Sequence, residues 1–468
     1  MLTYTIPEDL NKPLYQYIYE CIAFDIKNHN IKADEKLPSK RTLAKQLAVS
    51  LITIENAYEQ LLSEGYIYSI EKKGYYVSEI ETFQSNREVK VEKEEELSNP
   101  YLIDLSSTNL NSSYFPFSTF SKITRKVLSE ERESILRPAE YNGVLKLREA
   151  ISKHLNEYLG MKVSSKQIVI GSGSEHLYSL LIQFFGKKHY ALENPGHKAI
   201  ASVYQRNELK HSFIDMDDKG INIKALKEAD ADIVHVSANH HYPTGITMPI
   251  SRRYELLRWA KNNNKFIIED DYDSELRLKG RPISPLFALD NNDTVIYLNT
   301  FSITLAPSFR IAYMVLPESL LSEYKEKMKV YHCTVPVLDQ LILSEFISSK
   351  AFERHLNRSK KRYRDLKNEF LNELKNTAFY KDLDISEADS GLHLLIKYPY
   401  EISDKKAKEI AKSKGLKVSM LSDFYQKKKD SHTLLIRYVS LHEDSLQIAI
   451  LSLIDLLSVL SIARLETQ

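Results

Sequence analysis

Cysteine is almost missing from this chain. Its 468 residues hold two, Cys21 and Cys333, far apart in sequence and at no metal-ligand spacing. With no signal peptide at the start, the expected compartment is a reducing cytoplasm. An excess of one charge is missing too: 64 Lys and Arg face 63 Asp and Glu, for a formal net charge of +1, so total charge selects no polyanionic partner. A clean membrane span is also lacking. Leu446 to Leu465 is long enough to cross a bilayer, but it carries Asp455 near its middle and Ser452, Ser458 and Ser461 along it, and follows Glu443 and Asp444. A terminal helix packed on a large domain is expected there, with no membrane partner, and no internal repeat is found. What remains is an ordinary soluble composition, 43% hydrophobic and 27% charged, at a length that predicts two or three domains.

Glu81 to Pro100 is dense in charge and poor in large apolar side chains, so it cannot bury enough surface to offset its ordering entropy. The chain therefore divides into an N-terminal unit (1–79), a charged linker (80–104) and a body (105–468). The body is read as a large lobe to about 330 and a small lobe from about 331. In the first unit, Tyr15, Ile18, Ile22 and Ile26 recur at helical spacing over about 14–28. Pro38-Ser39 starts a second helix. Val49-Ser50 makes a turn with Ser50 as N-cap, and a third helix runs from about Ile52 to Ser63. Gly65 to Tyr68 and Tyr75 to Val77 alternate as a hairpin around Lys72-Lys73-Gly74. The pattern is helix-turn-helix plus wing.

Lys36-Leu37-Pro38-Ser39-Lys40-Arg41-Thr42-Leu43-Ala44, Val49-Ser50, Thr53-Ile54, Ala57-Tyr58, Leu61 and Glu64-Gly65-Tyr66 resemble the DNA-binding domain of the GntR family of bacterial regulators. The resemblance implies a double-stranded DNA partner, with the helix beginning near Ser50 in the major groove and the wing along the neighbouring minor groove. Ser50 and Thr53 would lie on that helix. Lys40, Arg41, Lys45, Lys72 and Lys73 would be phosphate or groove contacts that position the domain. Residues 1–79 hold nine Lys and Arg against eleven Asp and Glu, so attraction to DNA must come from local clustering. Where the family usually has an arginine after the Val-Ser turn, this chain has Leu51, a loss of about 1–3 kcal/mol of phosphate or base contact.

Beyond the linker, β-branched runs such as 167–170, 233–236, 266–268 and 294–298 each precede a polar loop, the pattern of an α/β sheet with function-bearing loops at its carboxyl ends. Five such loops stand out. Gly171-Ser172-Gly173-Ser174-Glu175-His176 opens a helix whose backbone amides suit a phosphate. The others are Glu193-Asn194-Pro195-Gly196-His197, His240-His241-Tyr242-Pro243-Thr244-Gly245, Glu269-Asp270-Asp271-Tyr272-Asp273 and Asn299-Thr300-Phe301-Ser302-Ile303 through Arg310. In that order they resemble fold-type I pyridoxal-phosphate (PLP) enzymes.

The resemblance implies that Gly173, Ser174, Glu175, Thr300, Ser302 and Arg310 surround the cofactor phosphate and that Asp270 pairs with the pyridine nitrogen. It further implies that Tyr272 reaches the ring phenolate, that His197 stacks on the ring, and that Tyr242, before the Pro-Thr-Gly turn, is a cofactor-binding position. Ser390-Gly391-Leu392-His393 and Arg437 resemble the small domain, where Arg437 would grip a substrate or effector carboxylate. Ile303 stands where those enzymes have the lysine whose amine condenses with the cofactor and moves the substrate proton. Glu175, His197 and Tyr242 depart from the usual Gln or Thr, Tyr and Asn.

Winged helix, charged linker and aminotransferase-like body in this order are similar to the MocR subfamily of GntR regulators. The fold class expected is α/β: an N-terminal winged helix-turn-helix, then a central mainly parallel sheet with flanking helices and a smaller C-terminal α+β lobe. The function expected is a transcriptional regulator, not an enzyme, with no metal. Its body would sense a small-molecule effector, either PLP held noncovalently or an amino-acid-like or anionic compound, and form a homodimer, head to tail. The alternatives are an active aminotransferase using a different base and a scaffold that binds neither DNA nor ligand.

Overall fold

Ile18, Ile22 and Ile26 share one face of a first helix, α1 (Leu14–Lys27), and are at most 3% exposed. They close against Leu43 and Ala44 of α2 (Lys40–Leu47) and Ile54, Ala57, Tyr58 and Leu61 of α3 (Leu51–Ser63). Ala48 ends α2 in the left-handed region (φ 53°), and Ser50 caps α3, its Oγ accepting from Thr53 N at 3.2 Å. Strands β1 (Ile67–Ile70) and β2 (Gly74–Val77) form the antiparallel wing, with Lys72 at φ 60° in its tip. Tyr58 ties wing to helices: its hydroxyl donates to Pro38 O at 2.9 Å and its ring meets Tyr75 edge-on at 5.1 Å.

The computed structural model describes residues 4–7, 10, 12–80, 101–107, 111–280, 282–387, 392–398, 402–427 and 429–462. They belong to two compact units, Met1–Leu97 and Ser98–Gln468. The charged stretch 81–100 and the pair Ser390-Gly391 lie outside the described residues.

The second unit opens with β3 (Ile103–Asp104), which pairs in parallel with the later segment Leu416–Lys417, and continues through helices α4 (Phe117–Glu131) and α5 (Leu145–Tyr158). Positions 103 and 104, assigned to the linker on composition, are therefore part of this unit's own pairing. Leu105 N bonds Lys417 O at 2.9 Å and Asn111 N bonds Val439 O at 3.3 Å, so the beginning of the body packs on small-lobe segments rather than on the large lobe alone. A two-residue strand leaves no periodicity to read.

The central sheet has eight strands: β4 (Ile168–Gly171), β5 (Tyr190–Asn194), β6 (His211–Asp217), β7 (Gly220–Ile221), β8 (Ile233–Val236), β9 (Phe266–Asp270), β10 (Val295–Thr300) and β11 (Ala312–Val315). Their spatial order is β4-β11-β10-β9-β8-β5-β6-β7. Pairing from β6 through β5, β8 and β9 to β10 is parallel, and β11 runs antiparallel between β10 and β4. The inner strands are buried along nearly their whole length, as a parallel sheet covered on both faces requires. The ends of β4, β5, β8, β9 and β10 open on the same edge of the sheet, which is where such folds bind ligands.

A smaller antiparallel sheet, 384–387, 394–397, 433–436 and 419–420, forms the second lobe. The last helix, Glu443–Ile462, buries Leu446, Ala449, Ile450, Leu453, Leu456, Leu457 and Leu460 in the main core, and Asp455 on it pairs with Lys414. Among the described residues no helix is long and apolar enough to cross a membrane.

Two substitutions test the local chemistry of α3. Ser50→Ala removes the cap, at a cost of about 1 kcal/mol, while Ala48→Gly relieves a left-handed alanine by on the order of 0.5 kcal/mol. Amide hydrogen exchange of α3 in the full chain is expected to accelerate in the first and slow in the second. Unchanged rates in both would contradict this account of the turn.

Candidate functional site

A cavity of about 280 Å³ opens at the carboxyl edge of the central sheet. Its acid is Asp270, the last residue of β9, 7% exposed. Tyr178, one turn into α6 (Ser174–Phe185), donates its hydroxyl to Asp270 Oδ2. His235 on neighbouring β8 holds Nε2 at 3.8 Å from the same oxygen. Burial pushes the Tyr178 phenol well above its usual range, so it remains a donor to the carboxylate. Two residues on, Tyr272 places its hydroxyl 2.9 Å from His240 Nδ1, which lies 2.7 Å from Asp273 Oδ2. Burial raises the Tyr272 phenol in the same way.

Flat side chains form the walls. His197 caps the helix Lys198–Arg206, its Nδ1 accepting from Ala199 N at 3.3 Å, and its ring centre is 5.6 Å from that of Tyr242. The crowded wall around it lowers the His197 imidazole from its ordinary value. Tyr242 meets His393 and Phe424 edge-on at 5.6 and 5.2 Å, and the Arg437 guanidinium sits 5.5 Å from the Tyr242 ring centre.

Behind this wall lies a neutral acid. Burial pushes the Glu193 carboxyl up to about 8, and burial with His240 nearby pulls His241 down to about 3. The two are 3.5 Å apart yet both uncharged near neutral pH. Glu193 Oε2 accepts from Ser237 N at 3.0 Å, whereas Glu193 Oε1, His235 Nε2 and Arg437 Nε are buried without a hydrogen-bond partner.

The opposite end is internally satisfied. Gly173, at φ +94°, lets the Arg310 guanidinium rest on the start of α6, where a Cβ would lie 2.8 Å from Nη2. Arg310 Nη2 pairs with Glu175 Oε2 at 3.2 Å. Thr300 Oγ1 accepts from Ser302 N at 3.2 Å, and Ser302 Oγ donates to Phe309 O at 3.0 Å. Ile303 lines the adjoining wall, and among the described residues lining the cavity there is no lysine.

Of the residues singled out in the sequence, Ser174, Glu175, His197, Tyr242, Asp270, Tyr272, Thr300, Ser302, Ile303, Arg310 and Arg437 line this one cavity; Gly173 lies beneath Arg310. Tyr178, Glu193, His235 and His241 line it as well and were not singled out. Glu193 and His241 lay inside motifs read for their neighbours, and His235 inside a strand read for its apolar run. A phosphorylated pyridine fits the ring end, where Asp270, Tyr272 and His197 converge. At the far end a phosphate would have to share Arg310 with Glu175, and no lysine is among the described lining residues.

In the first unit Arg41, Thr42 and Lys45 border one shallow groove, and Lys40 Nζ stands 5.4 Å from the Tyr75 ring centre. Lys72 and Lys73 are exposed at the wing tip. The hydroxyls of Ser50 and Thr53 bond each other at 2.7 Å at the start of α3, and Leu51 and Ile52 are 38% and 68% exposed beside them.

Glu193 and Glu269 give the second unit a defined pH response. Burial raises Glu269 to about 7 against the accepted amides of Leu286 and Phe287. Both carboxyls have a reference value of 4.5, so from there to about 8 the folded state keeps protons that the unfolded state has lost. Their stabilisation is full below the reference value and is lost as pH rises through the folded values. Trp259, the sole tryptophan and 4% exposed, reports this unit. Glu193→Gln is expected to shrink the drop in urea midpoint between pH 5 and 8; an undiminished drop would mean that Glu193 is ionised in the folded protein.

Residues 14–77 match the family described as bacterial regulatory proteins, gntR family. Over 445 residues the chain is 35% identical to "Uncharacterized HTH-type transcriptional regulator YdeL" of Bacillus subtilis (strain 168), covering 94% of this chain and 95% of that protein. It is 26% identical over 435 residues to the probable rhizopine catabolism regulatory protein MocR of Rhizobium meliloti, covering 89% and 88%. The crystal structure of a multiple substrate aminotransferase from Thermococcus profundus aligns with a TM-score of 0.68 at 24% identity, over 77% of this chain and 92% of that one, and so shares its fold. The chain belongs to the MocR subfamily of the GntR transcriptional regulators, a GntR helix-turn-helix domain followed by a fold-type I aminotransferase-like body.

Proposed function

We propose that this regulator binds double-stranded DNA through its winged helix and senses a small ligand in its aminotransferase-like cavity without transamination. The supporting observation is Ile303 in the cavity wall with no lysine among the described lining residues. Transamination needs a nitrogen nucleophile that also carries a proton between substrate carbons, and an alkyl side chain supplies neither. When bound, PLP supplies an electron-withdrawing ring; here Asp270 would face its nitrogen and Tyr272 its oxygen, with no lysine among the described lining residues to hold it covalently. PLP held in this way, an amino-acid-like compound and an anionic compound are the ligand classes considered, with Arg437 as the carboxylate grip.

On the DNA side, the N-terminus of α3, begun by Ser50 and Thr53, enters the major groove, and Lys40, Arg41, Lys45, Lys72 and Lys73 contact phosphates or groove edges. Two such domains in a homodimer, head to tail, would read two half-sites.

Fluorescence anisotropy with a labelled duplex from the chain's own upstream region tests the DNA half. Saturable binding is expected to weaken with salt, and Arg41→Ala to lower the salt slope by about 1. Absence of binding by the purified full chain at low salt would sink it. The ligand half is tested by Ile303→Lys incubated with pyridoxal and then borohydride. The variant is expected to gain a covalent mass at position 303 that the wild type lacks; a covalent adduct on the wild type within the cavity would restore the enzyme reading.

A further inference from the structure

The two ends of the cavity differ in what they leave for a ligand. At the α6 end three of the candidate phosphate contacts already have a partner. Arg310 is paired with Glu175 at 3.2 Å, Thr300 Oγ1 accepts from Ser302 N, and Ser302 Oγ donates to Phe309 O. The unmet polar atoms lie elsewhere: Glu193 Oε1, His235 Nε2 and Arg437 Nε, on residues 9%, 3% and 6% exposed. Each of these atoms is sealed from the cavity's free volume, so a ligand atom reaches it only with a small side-chain shift, which the unmet hydrogen bond favours.

Charge points the same way. Among the described lining residues the charged side chains are Glu175, Asp270, Arg310 and Arg437, besides Glu193, which burial keeps protonated. Arg310 is neutralised by Glu175, leaving Asp270 and Arg437 as the charges open to a ligand. No carboxylate of the described residues lies within ion-pair distance of Arg437. Its guanidinium carbon lies 5.5 Å from the Tyr242 ring centre and the residue lines the cavity, where a planar anion suits it. A phosphate dianion entering the α6 end has to share Arg310 with the Glu175 carboxylate 3.2 Å from it, and that competing like charge disfavours binding.

Resting on the sensing role proposed above, we infer that Glu175 is a selectivity gate that bars phosphorylated ligands. The cavity's ligand is a phosphate-free ring compound bearing a carboxylate, its ring between His197 and the Ile303 wall, its carboxylate on Arg437 and a polar ring substituent on Glu193 and His235.

Calorimetric titration of the full chain with 4-pyridoxate, pyridoxal and PLP tests this on one ring system. The wild type is expected to bind 4-pyridoxate more tightly than pyridoxal, and pyridoxal at least as tightly as PLP. Glu175→Gln, a change on a side chain 58% exposed, is expected to tighten PLP by about tenfold while moving pyridoxal by less than about twofold. A wild-type preference for PLP of about tenfold or more overturns the inference. An unchanged PLP-to-pyridoxal ratio in the variant, a preference for pyridoxal over 4-pyridoxate, or no binding of any of the three by either protein does so as well. A chain that shows the expected ligand order but leaves its upstream DNA unbound loses the regulatory reading and keeps this one. Saturable DNA binding with the opposite ligand order does the reverse.

Discussion

A carboxylate held at the end of a buried strand sets the terms for the rest of the cavity. Asp270 is 7% exposed and keeps its place through the Tyr178 hydroxyl, with His235 at 3.8 Å. An unpaired charge at that depth would be strongly destabilising, so the neighbouring strand ends must present donors or a cation. The carboxyl edge of the sheet does this: β8 brings His235, α6 brings Tyr178, and the loop after β8 brings His240 beside Tyr272. The same burial leaves Glu193 and His241 uncharged at 3.5 Å, so the floor carries one formal charge rather than three.

The features most legible in the sequence were those carried by local chemistry. Ser50 as a cap, the turn at Val49-Ser50, the tyrosine-rich hairpin and the Asp270-Asp271-Tyr272 run need only a few adjacent residues to be recognised, and the structure contains each. Boundaries followed the apolar pattern and missed polar ends: the strand read over 266–268 continues through Glu269 to Asp270. Tyr178, Glu193, His235 and His241 were not read as cavity residues because their exposure to it depends on how neighbouring strand ends converge, which no local pattern encodes. Residues 103–104 pair with a strand more than three hundred positions away, a long-range contact invisible to composition.

Ile303 has a different weight once the cavity is seen whole. Taken alone it bears on one reaction, the transamination proposed above to be lost. Beside the Arg310–Glu175 pair it belongs to a cavity altered at both the points where a fold-type I enzyme would hold its phosphorylated cofactor. The ring end, by contrast, keeps an acid, two flat walls and three unmet polar atoms. On the reading proposed above, such a cavity, in a chain whose first domain is a GntR helix-turn-helix, serves recognition of a ligand rather than its conversion.

Native mass spectrometry of the full chain, mixed with a duplex from its own upstream region and with 4-pyridoxate, tests the central claim most directly. The account predicts two chains on one duplex, carrying a ligand mass that is lost on denaturation. Chains that remain free of DNA, or a ligand-derived mass that survives denaturation, would contradict it.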